Sequence, residues 1–381
     1  MKNLETLIQE LCPDGVEFVK LGDCCSFKRG TTITAKNAIP GDVPVLAGGQ
    51  KPAYYHNVAN RTGETIVVAG SGAYAGFVSY WTVPVFLSDS FSVEPDDRLV
   101  VKFVYYFLKN IQQKIFATKK GSGVPHVHGS SIEKFEIPLP PIEVQTEIVR
   151  ILDKFTSLEA ELEAELDCRK RQYEYYRDKL LSFDNVGGQE VTISKIGDIG
   201  RICMCKRIMK NQTNSESGIP FYKIGTFGKV ADAYISNDVY EEYKKLYSYP
   251  KKGDILMSAS GTIGRTVVFN GKPSYFQDSN IVWVDNDETK VFNSYLNYYY
   301  QIIEWKTQGG TIKRLYNNLL AGATIKYPSL EEQHRIVSIL DRFESLTTSL
   351  QSGLPAEIAA RRQQYEHYRD KLLTFKRKGA A

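Results

Sequence analysis

Two short turns hold the residues that look most able to do chemistry: Gly70-Ser71-Gly72-Ala73-Tyr74-Ala75-Gly76 and Ser260-Gly261-Thr262-Ile263-Gly264. Glycine turns can cradle phosphate, because backbone N–H groups close on an anion where no Cβ intervenes. Neither turn has the Gly-x-Gly-x-x-Gly spacing of a dinucleotide loop, and neither is followed by the Lys-Ser or Lys-Thr of a nucleotide loop. A tight turn between strands accounts for both; a turn whose backbone approaches DNA is the functional alternative. His126 and His128 have no third ligand at a workable spacing, so a loop touching phosphate or a base edge is a better reading than a metal site. The six cysteines (12, 24, 25, 168, 203 and 205) form no Cys-x-x-Cys pair, which argues against zinc and against a disulfide framework. No Ser-His-Asp or Cys-His set can be assembled. No Asn/Asp-Pro-Pro-Tyr/Phe methyltransferase sequence and no helicase or nuclease signature is present. The chain reads as non-catalytic, with no cofactor of its own.

Side chains suited to nucleic acid are scattered through two regions. Lys28, Arg29, Lys51, Arg61, Lys119 and Lys120 fall in predicted loops of the first, and Lys206, Arg207, Lys210, Arg265, Lys313 and Arg314 in those of the second. Singly, such residues most often just solvate a surface; as a set they can neutralise backbone phosphates. Tyr54, Tyr55, His56, Tyr74, Asn211, Asn317 and Asn318 add groups able to reach base edges. Ser71, Ser260, His126 and His128 complete the candidates. A net charge of +4 permits a nucleic-acid partner without requiring one.

What must position these residues is a stretch written twice. Residues 145–183 open QTEIVRILDKF and close QYEYYRDKLLSF; residues 333–375 open QHRIVSILDRF and close QYEHYRDKLLTF. In the first copy Ile151, Phe155, Leu158, Leu162, Leu166, Tyr173, Tyr176 and Leu180 recur three, four or seven apart. Ile339, Phe343, Leu346, Leu350, Leu354, Ile358, Tyr365, Tyr368 and Leu372 do so in the second. That is the seam of a coiled coil. The simplest partner for each seam is the other copy, packed antiparallel, with a folded head carried at either end.

The copies differ in length. Gln333 follows Gln145 by 188 residues, but Tyr365 follows Tyr173 by 192. The four extra residues fall near Ser352-Gly353-Leu354-Pro355, where Gly and Pro predict a break with the helix restarting at Pro355. The first copy instead carries LEAE twice in tandem, at 158–161 and 162–165. A continuous helix over residues 145–183 would span about 58 Å, roughly 17 base pairs of duplex, a ruler between two half-sites.

The expected fold class is α+β: two mixed α/β heads separated by two long helices packed as an antiparallel coiled coil. Boundaries are read as an N-terminal helix 1–12, head 13–141, helix 142–185, head 186–328, helix 329–376 and tail 377–381. The N-terminal helix is read as standing in for the tail of a rod. Strands are expected at Thr65–Ala69, Phe77–Trp81 and Phe91–Val93, then a helix Val100–Phe116. The second head is expected to show Asp254–Met257, Thr266–Asn270 and Asn280–Val284, then a helix Tyr295–Thr307. Leu21-Gly22-Asp23 matches Ile196-Gly197-Asp198. Ser71 with Ser260 and Asp89 with Asp278 share an offset of 189, which points to a common fold. No run approaches the roughly 18 apolar residues of a membrane span, and the start lacks a signal-peptide core. The expected location is cytoplasmic.

The twin helices, entered by PLPPIEVQ at Pro138–Gln145 and YPSLEEQ at Tyr327–Gln333, resemble the specificity (S) subunit of bacterial type I restriction–modification systems across essentially the whole chain. The resemblance implies a sequence-specific DNA-binding subunit, each head reading one half of a bipartite asymmetric target in double-stranded DNA. It implies helices that set the spacer and dock two modification (methyltransferase) subunits, with restriction subunits added. S-adenosylmethionine would act on the modification subunits, and ATP with Mg on the restriction subunits. The competing class is a coiled-coil scaffold whose heads bind protein or glycan, which predicts no salt-sensitive DNA binding.

Overall fold

The computed structural model describes residues 4–183, 190–310, 313–349 and 352–379. The chain divides into two compact units, residues 1–163 with 357–381, and residues 164–356.

Each unit holds one head, and both heads follow one plan. In the first, four antiparallel strands lie in the order Cys25–Arg29, Ser90–Pro95, Thr65–Ala69, Val78–Trp81. Thr65–Ala69 is buried at all five positions, the outcome expected for a short unbroken apolar run. A smaller sheet pairs Val43–Leu46 antiparallel with Tyr54–His56 and parallel with Phe86–Leu87. A ribbon of Glu17–Lys20 against Glu136–Leu139 closes the head and delivers the chain to its helix. The second head repeats this as Gly200–Cys203, Ile281–Asn286, Ile255–Ser258, Thr266–Val268. Its small sheet again has one parallel pair, Ile219–Tyr222 with Tyr275–Phe276, and its ribbon is Thr192–Lys195 with Thr324–Tyr327.

The repeated stretches are helical. The first is one helix, Ile142–Ser182, of 41 residues. The second is broken, Leu330–Thr348 then Leu354–Leu372, with Pro355 in the first turn of the restart. Packing is antiparallel within each unit. In the first, Phe155 stacks on Tyr368 at 5.4 Å, and Arg362 pairs with Glu159 and Glu163. In the second, Tyr176 stacks on Phe343 at 5.7 Å. The same Phe-on-Tyr contact is thus made twice with the copies exchanged.

The seam is narrower than its spacing suggested. Ile151, Tyr365 and Leu372 pack on the first core, and Tyr173 and Leu180 on the second. Leu162, Leu166 and Ile339 are half-buried, whereas Leu158 and Leu346 are 45% and 40% exposed. Leu350 lies outside the described residues. The deepest apolar residues of these helices are Val144, Ile148 and Leu152 in the first core and Leu181 and Leu340 in the second, all fully buried against their heads. Each helix therefore serves two surfaces, its head and its partner helix.

Three expectations on elements change. The stretch Val100–Phe116 is two helices, Val101–Asn110 and Gln112–Ala117. The helix begun at Asn293 ends at Tyr299, not Thr307, because the chain turns to lay Ile302, Ile303 and Trp305 on the core. A Cβ on Gly264 would come within 2.5 Å of the Trp305 ring, so that turn packs against bare backbone. The N-terminal helix Leu4–Leu11 does not replace a rod tail. Leu373 fills that place in the first core as Leu181 does in the second, and the chain end pairs beside Val16, whose N–H donates to Lys376 O at 2.9 Å. Among the described residues no helix is long and apolar enough to cross a membrane.

Candidate nucleic-acid interface

The two glycine turns are tight turns between strands, and each forms one side of a hydrogen-bonded corner. In the first head Gly72 and Gly76 take φ of +83° and +85°, conformations that favour glycine. The turn joins Thr65–Ala69 to Val78–Trp81. Its Ser71 hydroxyl donates to the Asp89 carboxylate, which sits 3.6 Å from Arg29 Nη2. A hairpin from the far end of the head, Lys120 paired with His126, is bridged to Ser71 and closes the corner. His126 and His128 lie ring over ring at 6.3 Å. With Arg29, Ser130 and Glu133 they line a cleft of about 170 Å³.

The second head builds the same corner from different side chains. Ser260 donates to Asn280 Oδ1 at 2.7 Å, and Arg314 Nη2 donates to the same oxygen at 2.6 Å. Arg314 is bridged by backbone to Ser260 and to Gln308, as His126 is to Ser71 and Lys120. The backbone fixes the equivalence: Gly70 N–H donates to Asp89 O, and Ala259 N–H donates to Asn280 O. The counterpart of Asp89 is therefore Asn280, not Asp278. The shared offset of 189 misled, because Asp278-Ser279 is an extra step before the strand, with Ser279 at φ +59°. Asp278 instead pairs with Arg207 at 2.9 Å.

The other candidates separate by what they touch. Tyr54 donates to Ile33 O at 2.6 Å, and the buried His56 accepts from Ile39 N–H at 3.0 Å, so both hold a loop in place. Arg61 is 19% exposed and binds Ser92, Asn60 O and Lys28 O; its guanidinium stitches strands together. Arg265 lies over the Phe227 ring, and among the described residues its buried Nε has no hydrogen-bond partner. Lys28 pairs with Glu94, Lys119 donates to Ala73 O, and Lys206 covers Tyr247. Lys51, Tyr74, Lys120, His128, Lys210, Asn211, Lys313 and Asn317 are exposed. Among the described residues no cluster of His, Cys, Asp or Glu could hold a metal. Burial pushes the Cys205 thiol up to about 12, far from a reactive thiolate.

The residues that fix head to helix were not singled out from sequence. Gln145 is fully buried: its Nε2 donates to Arg98 O and Pro140 O, and its Oε1 accepts from Val100 N–H at 2.8 Å. Gln333 makes the same three bonds, to Lys290 O, Pro328 O and Phe292 N–H. Tyr106 donates to Asp153 at 2.5 Å and Tyr298 to Asp341 at 2.6 Å. Arg369 reaches Asn110 at 3.0 Å and Arg177 reaches Gln301 at 3.3 Å, each lying over a tyrosine one turn back. The polar letters of the repeat are its docking chemistry. The available signal was their exact recurrence at polar positions, where a solvated helix face would have drifted.

Two heads of one topology, each bearing the same corner with different side chains and each pinned to a helix by identical bonds, define a two-headed recognition protein. Residues 13–167 and 188–360 match the type I restriction modification DNA specificity domain, and the chain belongs to that family. It is 44% identical to a type I restriction enzyme specificity subunit of Haemophilus influenzae, over 98% of this chain and 100% of that one. It is 29% identical to the EcoR124I/EcoR124II specificity subunit of Escherichia coli, over 98% of this chain and 97% of that one. The crystal structure of a type I restriction–modification S subunit from M. genitalium shares the fold, with a TM-score of 0.58 at 17% identity, covering 94% and 96% of the two chains.

Proposed function

We propose that this chain is the DNA-reading subunit of a type I restriction–modification complex. Each head binds one half of a bipartite, asymmetric duplex target, and the paired helices set the spacer and dock two modification subunits. Methyl transfer from S-adenosylmethionine belongs to those subunits, and ATP-driven steps to the restriction subunits; this chain supplies no catalytic group. The functional division follows heads at 13–141 and 186–328 with helices at 142–185 and 329–376, the 185/186 boundary lying outside the described residues. Work on DNA places the complex in the cytoplasm.

The observation that carries this reading is the pair of corners, Ser71–Asp89–His126 and Ser260–Asn280–Arg314. One scaffold holding different donors and acceptors is what two readers of different sequences require. Around them, the exposed Lys120 and Lys313 would meet phosphates, and Arg29 and Arg207 would do so by exchanging Asp89 and Asp278 for the backbone.

The test is methylome sequencing of a methylation-free host expressing this chain with its cognate modification subunit. A split motif, methylated in each half only when both chains are present, is the expected result. No new methylation from a modification subunit active with another S chain would refute it. Exchanging the first head should alter one half-site alone.

A further inference from the structure

The two corners differ at the positions a base edge would meet, and this difference carries chemical content once the DNA-reading role above is accepted. In the second head Asn280 Oδ1 accepts two hydrogen bonds, from Ser260 and from Arg314. Ser260 is buried, so the amide is anchored from behind. Arg314 is half-exposed, and its backbone is held on both sides, by Gln308 and, through Leu315 N–H to Ala259 O, by the turn. Among the described residues its guanidinium makes one side-chain hydrogen bond, through Nη2 to Asn280. Among the described residues the other N–H groups of the planar fork have no hydrogen-bond partner, and the bond to Asn280 orients them. A tethered, half-exposed guanidinium is the geometry that matches the O6 and N7 acceptors of guanine in the major groove.

The first head carries no arginine at this position: its corner guanidinium is that of Arg29, which comes from another strand and stands 3.6 Å from Asp89, beyond hydrogen-bond distance. Its counterpart of Arg314 is His126, and its counterpart of Asn280 is the carboxylate of Asp89. We infer that Arg314, oriented by Asn280, reads a guanine in the half-site of the second head, and that the His126 position of the first head does not read guanine. Lys313, next to it and exposed, lacks the tether and acts on phosphate.

Methylomes of complexes carrying Arg314→Lys, Arg314→Ala and Lys313→Ala test this, with thermal melting of each chain in complex as the fold control. The wild-type motif must contain a guanine, on either strand, in the second head's half. Arg314→Lys and Arg314→Ala should relax that single position, lowering methylation at the guanine-containing site relative to substituted sites by about ten- to a hundredfold, with the other half-site unchanged. Lys313→Ala should slow methylation uniformly without changing the motif. An unchanged motif in both Arg314 variants would overturn the inference. So would complete loss of methylation in both with normal melting, which would make Arg314 a general anchor. A wild-type complex with no split motif would instead refute the DNA-reading role itself.

Discussion

Gln145 and Gln333 show how much a single polar side chain can fix. Each has both amide groups engaged by backbone that would otherwise be buried and unpaired. Leu is close in volume but makes none of these bonds, so Gln145→Leu leaves one N–H and two carbonyls to be satisfied elsewhere. At about 1–3 kcal/mol for each buried group left unpaired, partly relieved by relaxation, the expected loss is about 3 kcal/mol. Denaturant unfolding of the wild type and variant reads this, and Gln333→Leu should cost about the same. A loss below about 0.5 kcal/mol would mean that the amide is not the pin. No single position marked these glutamines as buried, because a polar residue on a charged helix reads as solvated; only their recurrence at the head of both copies did.

At the scale of elements, legibility followed periodicity. The helices, their antiparallel pairing and the break near Gly353 were readable, because apolar spacing and the Gly-Leu-Pro sequence express backbone requirements directly. The heads were half-readable: the central strands showed as apolar runs, but the parallel pair and the closing ribbons join segments far apart in sequence, where no local pattern reports pairing. The Asp89 and Asp278 match failed for that reason, since equal offsets hid a two-residue step that only the sheet register reveals. The break itself is testable. A Cβ on Gly353 would stand 2.7 Å from the carbonyl oxygens of both Ser345 and Leu346. Gly353→Ala should therefore destabilise the chain by about 1–3 kcal/mol, the range for forced overpacking, despite the better helix propensity of Ala. An increase in melting temperature would show that the connection yields and that a continuous helix is accessible.

For the whole molecule, the long helix runs through both compact units, with 22 residues in the first and 19 in the second, whereas the helix Leu354–Leu372 crosses the same boundary only at its first turn. The tandem LEAE segment of the long helix lies where the units meet in sequence, and two of its glutamates, Glu159 and Glu163, share one partner, Arg362. The two carboxylates are one turn apart, so the repeat offers Arg362 equivalent partners in successive turns. Deleting residues 162–165 removes four residues, about 6 Å and slightly more than one turn. Glu159 remains to pair with Arg362, and the exposed pairs lost are worth at most about 1 kcal/mol. The docking bonds of Gln145, Asp153, Gln333 and Asp341 lie outside the deleted segment. Both heads should therefore fold and keep their half-sites, while the distance between those half-sites shortens by about two base pairs, at 3.4 Å each. Methylome sequencing of the deletion variant with its modification subunit checks this directly. An altered half-site would mean that the heads are not independent of helix length. An unchanged spacer would remove the helix from its role as the ruler.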